Sequence, residues 1–153
     1  MLHRMLQRYQ IWLLLGAIFG GLAVVTGAFG AHGLDLHLKK DTSLDPAAVK
    51  RMLDNWETAA RYQMYHAIGL LAVGFVACRR CSVSIHLSGA AMTLGTLMFS
   101  GCLYALVLSG AKLPWWIVPG GGLLMIAGWA LLAVAIARLE RASVCEMPAG
   151  NAD

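Results

Sequence analysis

Charge is what this sequence has least of. Lys, Arg, Asp and Glu make up 13% of its 153 residues, about half the roughly 25% usual for a soluble globular domain, so an ordinary water-facing surface is excluded. No Asp, Glu, Lys or Arg interrupts the long apolar stretches, and a charge-coupled transporter would need one at mid-depth or an unwound ion site. The chain has no HxxxH or HExxH pair, no phosphate loop, no haem motif and no nucleophile with an evident base. Its basic residues form no dense cluster interleaved with aromatics, which argues against a nucleic-acid partner. The net charge of +4 follows from basic residues at membrane flanks.

Four charge-poor runs are present: Tyr9 to Ala31, Tyr62 to Cys78, Cys81 to Ala111 and Leu113 to Ala137. A helix needs about 20 mainly apolar residues to cross hydrocarbon. Three runs meet this easily, and the second suffices if its helix begins near Thr58. The first run exceeds the roughly 7–15-residue apolar region of a signal peptide and is rich in glycine, so a retained helix is expected. The expected fold is an all-α membrane protein, a compact four-transmembrane-helix bundle over residues 10–137. A polar, flexible tail is expected over 138–153.

Helix 1 is expected over about Gln10–Ala31. Gly16, Gly20, Ala23, Gly27 and Gly30 make one stripe of small residues, which permits close backbone approach where lipid gives no hydrophobic drive to association. The connection Gly33–Glu57 is polar, but Asp45-Pro46 reads as an N-cap with proline at the first helical position. Val49, Leu53, Trp56 and Ala60 then share one face, opposite Lys50, Asp54, Glu57 and Arg61. This predicts an amphipathic helical segment before helix 2 that begins at the membrane interface. Helix 3 is expected over Ile85–Leu108, with Thr93, Thr96 and Ser100 along one face. Helix 4 is expected from Pro119 to Ala137, after a surface-marking Trp115-Trp116 pair.

Arg4, Arg8, Arg79, Arg80, Arg138 and Arg141 fall on one side, and Lys39, Lys40, Lys50, Arg51, Arg61 and Lys112 on the other. The first group hugs the helix ends, which predicts cytoplasmic termini.

Six residues could form a polar network where helix 1 ends and helix 2 begins: His32, Glu57, Arg61, Gln63, His66 and Tyr104. Histidine beside a membrane segment can fix a helix contact, carry protons or bind metal, and a metal would need further ligands. His3, His37 and His86 read as peripheral. Cys78-Arg79-Arg80-Cys81 has redox spacing, but it stands alone in a turn without the βαβ setting of redox domains and reads as incidental. Cys102 reads as a small packing residue.

The strings Gly27-Ala28-Phe29-Gly30-Ala31-His32, Thr58-Ala59-Ala60-Arg61-Tyr62-Gln63-Met64-Tyr65-His66-Ala67, Phe99-Ser100-Gly101-Cys102-Leu103-Tyr104 and Pro119-Gly120-Gly121, with Gly128-Trp129, carry a resemblance. Over about Leu13–Leu132 the chain resembles the small YgdD-like membrane family, a domain of unknown function. The resemblance implies a four-helix bacterial inner-membrane protein and brings no activity, cofactor or catalytic residue. The residues therefore point first to a structural or accessory membrane protein, packing with itself or within a larger membrane complex. The alternative is a small carrier or channel for protons or a small polar solute, working alone or as an oligomer. An enzyme is the least supported reading, and no cofactor is expected.

Overall fold

The computed structural model describes residues 2–79, 82–110 and 113–145, with side chains between 9 and 138 of those stretches. Its regular elements are all helical: α1 (Leu2–Phe29), a π turn (Gly30–Leu34), α2 (Asp35–Lys40), α3 (Pro46–Arg79), α4 (Val83–Thr96), a second π turn (Leu97–Gly101), α5 (Cys102–Ser109) and α6 (Ile117–Cys145). The π turns do not break the chain direction, so the described residues form four helical rods.

The first rod does not end at Ala31 as expected. It continues through the π turn into α2, because Leu34 and Leu38 repeat at helical spacing and are both buried, while Asp35 and Lys39 pair at 2.9 Å on the outside. The connection thus shrinks to a tight turn after Lys40. There the carboxylate of Asp41 accepts from the Ser43 hydroxyl at 2.6 Å and its N–H at 3.0 Å. The hydroxyl bond first, then the amide bond, holds the Asp41 pKa below its ordinary value, since both favour the charged form. α3 begins at Pro46, with the Asp45 carbonyl accepting from Ala48 and Val49 at 2.8 and 3.1 Å. Along its first turns Val49, Trp56 and Ala60 are buried, whereas Lys50, Asp54, Glu57 and Arg61 are exposed.

Ser82 caps α4 by accepting from the Ile85 N–H, and the rod stops at Gly110, whose φ of 61° suits only glycine without cost. α6 starts at Ile117 rather than Pro119. Proline is tolerated there because first-turn N–H groups have no intrahelical partner. Its backbone stays helical to Cys145, past the Arg138 boundary set for a flexible tail. Of the CxxC motif, Cys78 is exposed, and Arg80 and Cys81 lie outside the described residues, as does the rest of the tail from Glu146.

The rods pair as two antiparallel hairpins, α1 with α3 and α4 with α6. The first pairing runs almost the full length: Leu13 packs on Gly74, Gly16 on Ala67 and Leu71, and Gly30 on Trp56. In the second, a Cβ on Gly95 would lie 2.8 Å from the Gly121 carbonyl oxygen, and one on Gly121 would lie 2.9 Å from that of Gly95. The backbones meet there directly. Trp12, Leu70, Val73, Ile85, Met92 and Leu132 fill the space between the hairpins, and Leu34, Leu38, Val49, Trp56 and Val107 form a second cluster at one end.

Three of the rods carry spans long and apolar enough to cross a membrane: Tyr9–Lys40, Val83–Ser109 and Ile117–Arg138, with mean hydropathies of 2.1, 1.8 and 2.0. Their outward faces are apolar too, with Leu22, Val25, Leu94, Leu97, Leu123 and Ile126 all at least half exposed. Water would not tolerate so continuous an apolar perimeter, whereas lipid tails match it.

Candidate functional site

The polar side chains inside the bundle sit where one rod crosses another. Gln63 on α3 is buried and donates its amide N–H to the Phe19 carbonyl of α1 at 2.9 Å. One helical turn on, His66 is also buried, its Nδ1 lying 2.8 Å from the Tyr62 carbonyl and its Nε2 3.3 Å from Trp129 Nε1 of α6. An indole nitrogen only donates, so Nε2 is the acceptor and the ring proton resides on Nδ1, pointing to the Tyr62 oxygen. Both ring nitrogens are thereby committed in the neutral form.

The same arrangement recurs between α1 and α4. Trp12 Nε1 donates to His86 Nδ1 at 3.0 Å, and the Trp12 ring lies so close to Gly89 that a Cβ there would stand 2.6 Å from it. In the other pair the Trp129 ring stands 3.1 Å from a Cβ on Gly69. His66 and Gly69, like His86 and Gly89, are three residues apart in the sequence. Each therefore offers, on one helix face, an acceptor and a flat place for the indole. The first hairpin sends Trp12 to the second, and the second sends Trp129 to the first.

A third centre lies at Thr26. Trp56 of α3 donates to its carbonyl at 2.7 Å. The Thr26 hydroxyl donates to the Ala23 carbonyl and lies 2.9 Å from the Tyr104 hydroxyl, which is then the donor between the two. Trp56 and Tyr104 rings sit 4.6 Å apart.

The six residues expected to share one network are thus distributed among separate contacts. Glu57 and Arg61 pair with each other at 2.6 Å on the surface. Gln63 ties α3 to α1, His66 ties it to α6, and Tyr104 ties α5 to α1. His32 is exposed on the first π turn, and no hydrogen bond among the described residues joins it to Gln63 or His66. The reason is geometric: α1 runs on past His32 into α2, so the antiparallel register brings Phe19, and not His32, level with Gln63. His86, read as peripheral, is instead a partner of Trp12. Of the small-residue stripe, Gly16, Ala23 and Gly30 are buried at seven-residue spacing, Gly20 lies beside Ala67, and a Cβ on Gly27 would meet nothing within 4 Å. Cys102 is half-buried.

Trp12 and Ser88 carry no signal of these contacts in the sequence, and Trp129 stands out there only within the Gly128-Trp129 string of the family resemblance. Ser88 donates to the Gly128 carbonyl at 2.7 Å, another link between rods. The signal that could have found the tryptophan contacts is the repeated His-x-x-Gly spacing. Among the described residues no three His, Cys, Asp or Glu side chains are grouped so as to hold a metal ion.

Residues 26–122 match the family described as Protein of unknown function (DUF423). The chain belongs to the DUF423 family. It is 38% identical to a UPF0382 membrane protein of Staphylococcus saprophyticus over 125 residues, covering 82% of this chain and 95% of the relative. It is also 38% identical to the UPF0382 inner membrane protein YgdD of Escherichia coli K12 over 136 residues, covering 88% of this chain and 95% of that one. No solved structure matches. With these relatives and its three apolar spans, this DUF423 member is a multi-pass membrane protein.

Proposed function

We propose that this protein is a non-catalytic, four-pass bacterial inner-membrane protein that serves a structural or accessory role, packing against a partner or another copy of itself. α3 supplies the fourth crossing in this reading. It has no Asp, Glu, Lys or Arg from Tyr62 to Cys78, and it lies alongside α1 from Leu13 to Gly30, the same length over which α1 is apolar. At 1.5 Å per residue its full length exceeds an approximately 30 Å hydrocarbon layer, so its charged first turns project beyond the bilayer on the side of the α2–α3 turn. The arginine distribution favours cytoplasmic termini, and the naming of the Escherichia coli relative as an inner membrane protein supports the same compartment.

The observation that carries the role is how the interior polar groups are used. Trp12–His86, Trp129–His66, Gln63–Phe19 and Ser88–Gly128 each join two different rods. A conduction path would instead aim such groups at a shared water-filled route. Proteoliposomes holding a pH-sensitive dye, paired with a pull-down from native membranes at endogenous expression, test this. The expected results are proton flux equal to empty vesicles and a stable stoichiometric partner or self-association. Proton flux above that of empty vesicles, lost in His66→Ala, would establish the carrier reading instead.

A further inference from the structure

A cleft of ≈ 240 Å³ opens between α1, α3 and the rod that contains the second π turn. Its mouth is formed by Leu22 and Leu97, which are 50% and 56% exposed, so in a bilayer it faces the acyl chains and not the water. Phe19 continues the apolar wall inward, and Gln63, Ser100 and Tyr104 line the inner part. An apolar cavity near 150 Å³ is large enough to hold benzene, so this one can take a ring with a short tail.

Ser100 is the unusual member. It is 1% exposed, and its hydroxyl has no hydrogen-bond partner among the described residues. Other hydroxyls on the same rod turn back on the helix: Thr93 donates to the Gly89 carbonyl, Thr96 to that of Met92 and Ser109 to that of Ala105. Ser100 lies within the π turn Leu97–Gly101, where the shifted hydrogen-bond register takes the corresponding carbonyl out of reach. A buried hydroxyl without a partner is costly to keep, and π turns recur at functional sites. On another wall, Gln63 gives one of its two amide N–H groups to Phe19, and its carbonyl oxygen accepts from no donor among the described residues. The cleft therefore combines a donor lacking an acceptor with an acceptor lacking a donor. A ketone or ester would satisfy only the first and a hydrocarbon neither. A hydroxyl satisfies both at once.

We propose that this cleft is a binding site for a lipid-soluble alcohol or phenol that enters from the bilayer, its hydroxyl set between Ser100 and Gln63 and its apolar body along Phe19, Leu22 and Leu97. The proposal rests on the reading that the bundle spans a membrane, and adds a ligand to it.

The test uses the full chain in phosphatidylcholine nanodiscs and two photoreactive probes. One is a short alkylphenol with a diazirine on its tail, and the other is the matched alkylbenzene without the hydroxyl. Labelling of the peptide containing Leu97–Gly101 is divided by labelling of the lipid-facing Leu123–Ile126 stretch, which corrects for partitioning. This ratio should be at least about fivefold higher for the phenol. Ser100→Ala should lower the phenol ratio by about two- to tenfold, the worth of one hydrogen bond, while leaving the alkylbenzene ratio unchanged. Leu97→Trp, a change on the lipid-facing surface, should close the mouth and reduce both. Equal ratios for the two probes, or a phenol ratio unaltered in both variants, would overturn the site. A membrane-impermeant sulfonated phenol should not label it, and labelling by that probe would overturn entry from the bilayer. Cysteine labelling of the turns reports the membrane reading separately, so four crossings with equal probe ratios would remove this proposal alone.

Discussion

Trp129 on α6 donates its indole N–H to Nε2 of His66 on α3 across 3.3 Å, and because indole cannot accept, this one contact fixes the tautomer of the imidazole. Trp129→Phe keeps an aromatic side chain on α6 but leaves Nε2 of the buried His66 without its donor. The expected cost is about 1–2 kcal/mol, visible as earlier thermal aggregation in detergent. His66→Leu should cost a similar amount, and the double variant should lose less than the sum of the two. Strict additivity would show that the two side chains are not coupled.

Close approach of the rods makes a second prediction at the glycines. Gly95→Ala and Gly121→Ala place a methyl against backbone that cannot swing aside, and each should lower folded yield sharply. Gly27→Ala meets open space and should be neutral, or stabilising by up to about 1 kcal/mol through helix propensity. Comparing monodisperse yield of the three variants after purification decides it. Similar losses at Gly27 and Gly95 would remove the distinction between open and closed parts of the stripe.

These two cases show what the sequence could reveal. Spacing was enough to place small residues on one face of α1, because helical periodicity is local. Which of them touch a neighbour depends on the depth and tilt of α3, and no pattern within α1 encodes that. The Asp45-Pro46 start of α3 was legible for the same local reason. The polar network was misplaced because one unread event, the continuation of α1 through Gly30–Leu34 into α2, moved His32 out of register with Gln63. The tryptophan contacts join residues 74 and 63 positions apart, and their only local trace is a histidine followed three residues later by glycine.

Single cysteines introduced at Thr42, Ser82 and Leu113 test the crossing by α3. A membrane-impermeant thiol reagent applied to intact cells should reach Thr42→Cys and Leu113→Cys from one side and Ser82→Cys only from the other. Labelling of Thr42→Cys and Ser82→Cys from the same side would mean that α3 does not cross.

The turn after α2 has its own pH signature. Ser43 lowers the Asp41 pKa through its hydroxyl and amide. A carboxyl whose pKa is depressed by folding adds stability above its unfolded value, and loses it as pH falls through the folded value. Ser43→Ala should move the Asp41 carbon resonance to titrate closer to the ordinary aspartate value of 3.8. The stability gap between variant and wild type should be present near neutrality and close in acid. A gap that persists at low pH would mean that Ser43 acts by some route other than this carboxylate.

The exchange of tryptophans between hairpins has a consequence for biogenesis. His66 leaves the ribosome 63 residues ahead of the Trp129 that completes it, an interval of roughly 3 to 13 s at about 5–20 residues per second. Throughout that time the acceptor on α3 lacks its donor, and Trp12 lacks its acceptor until α4 follows. The contact that joins the hairpins through His66 therefore forms only after the last rod has been made.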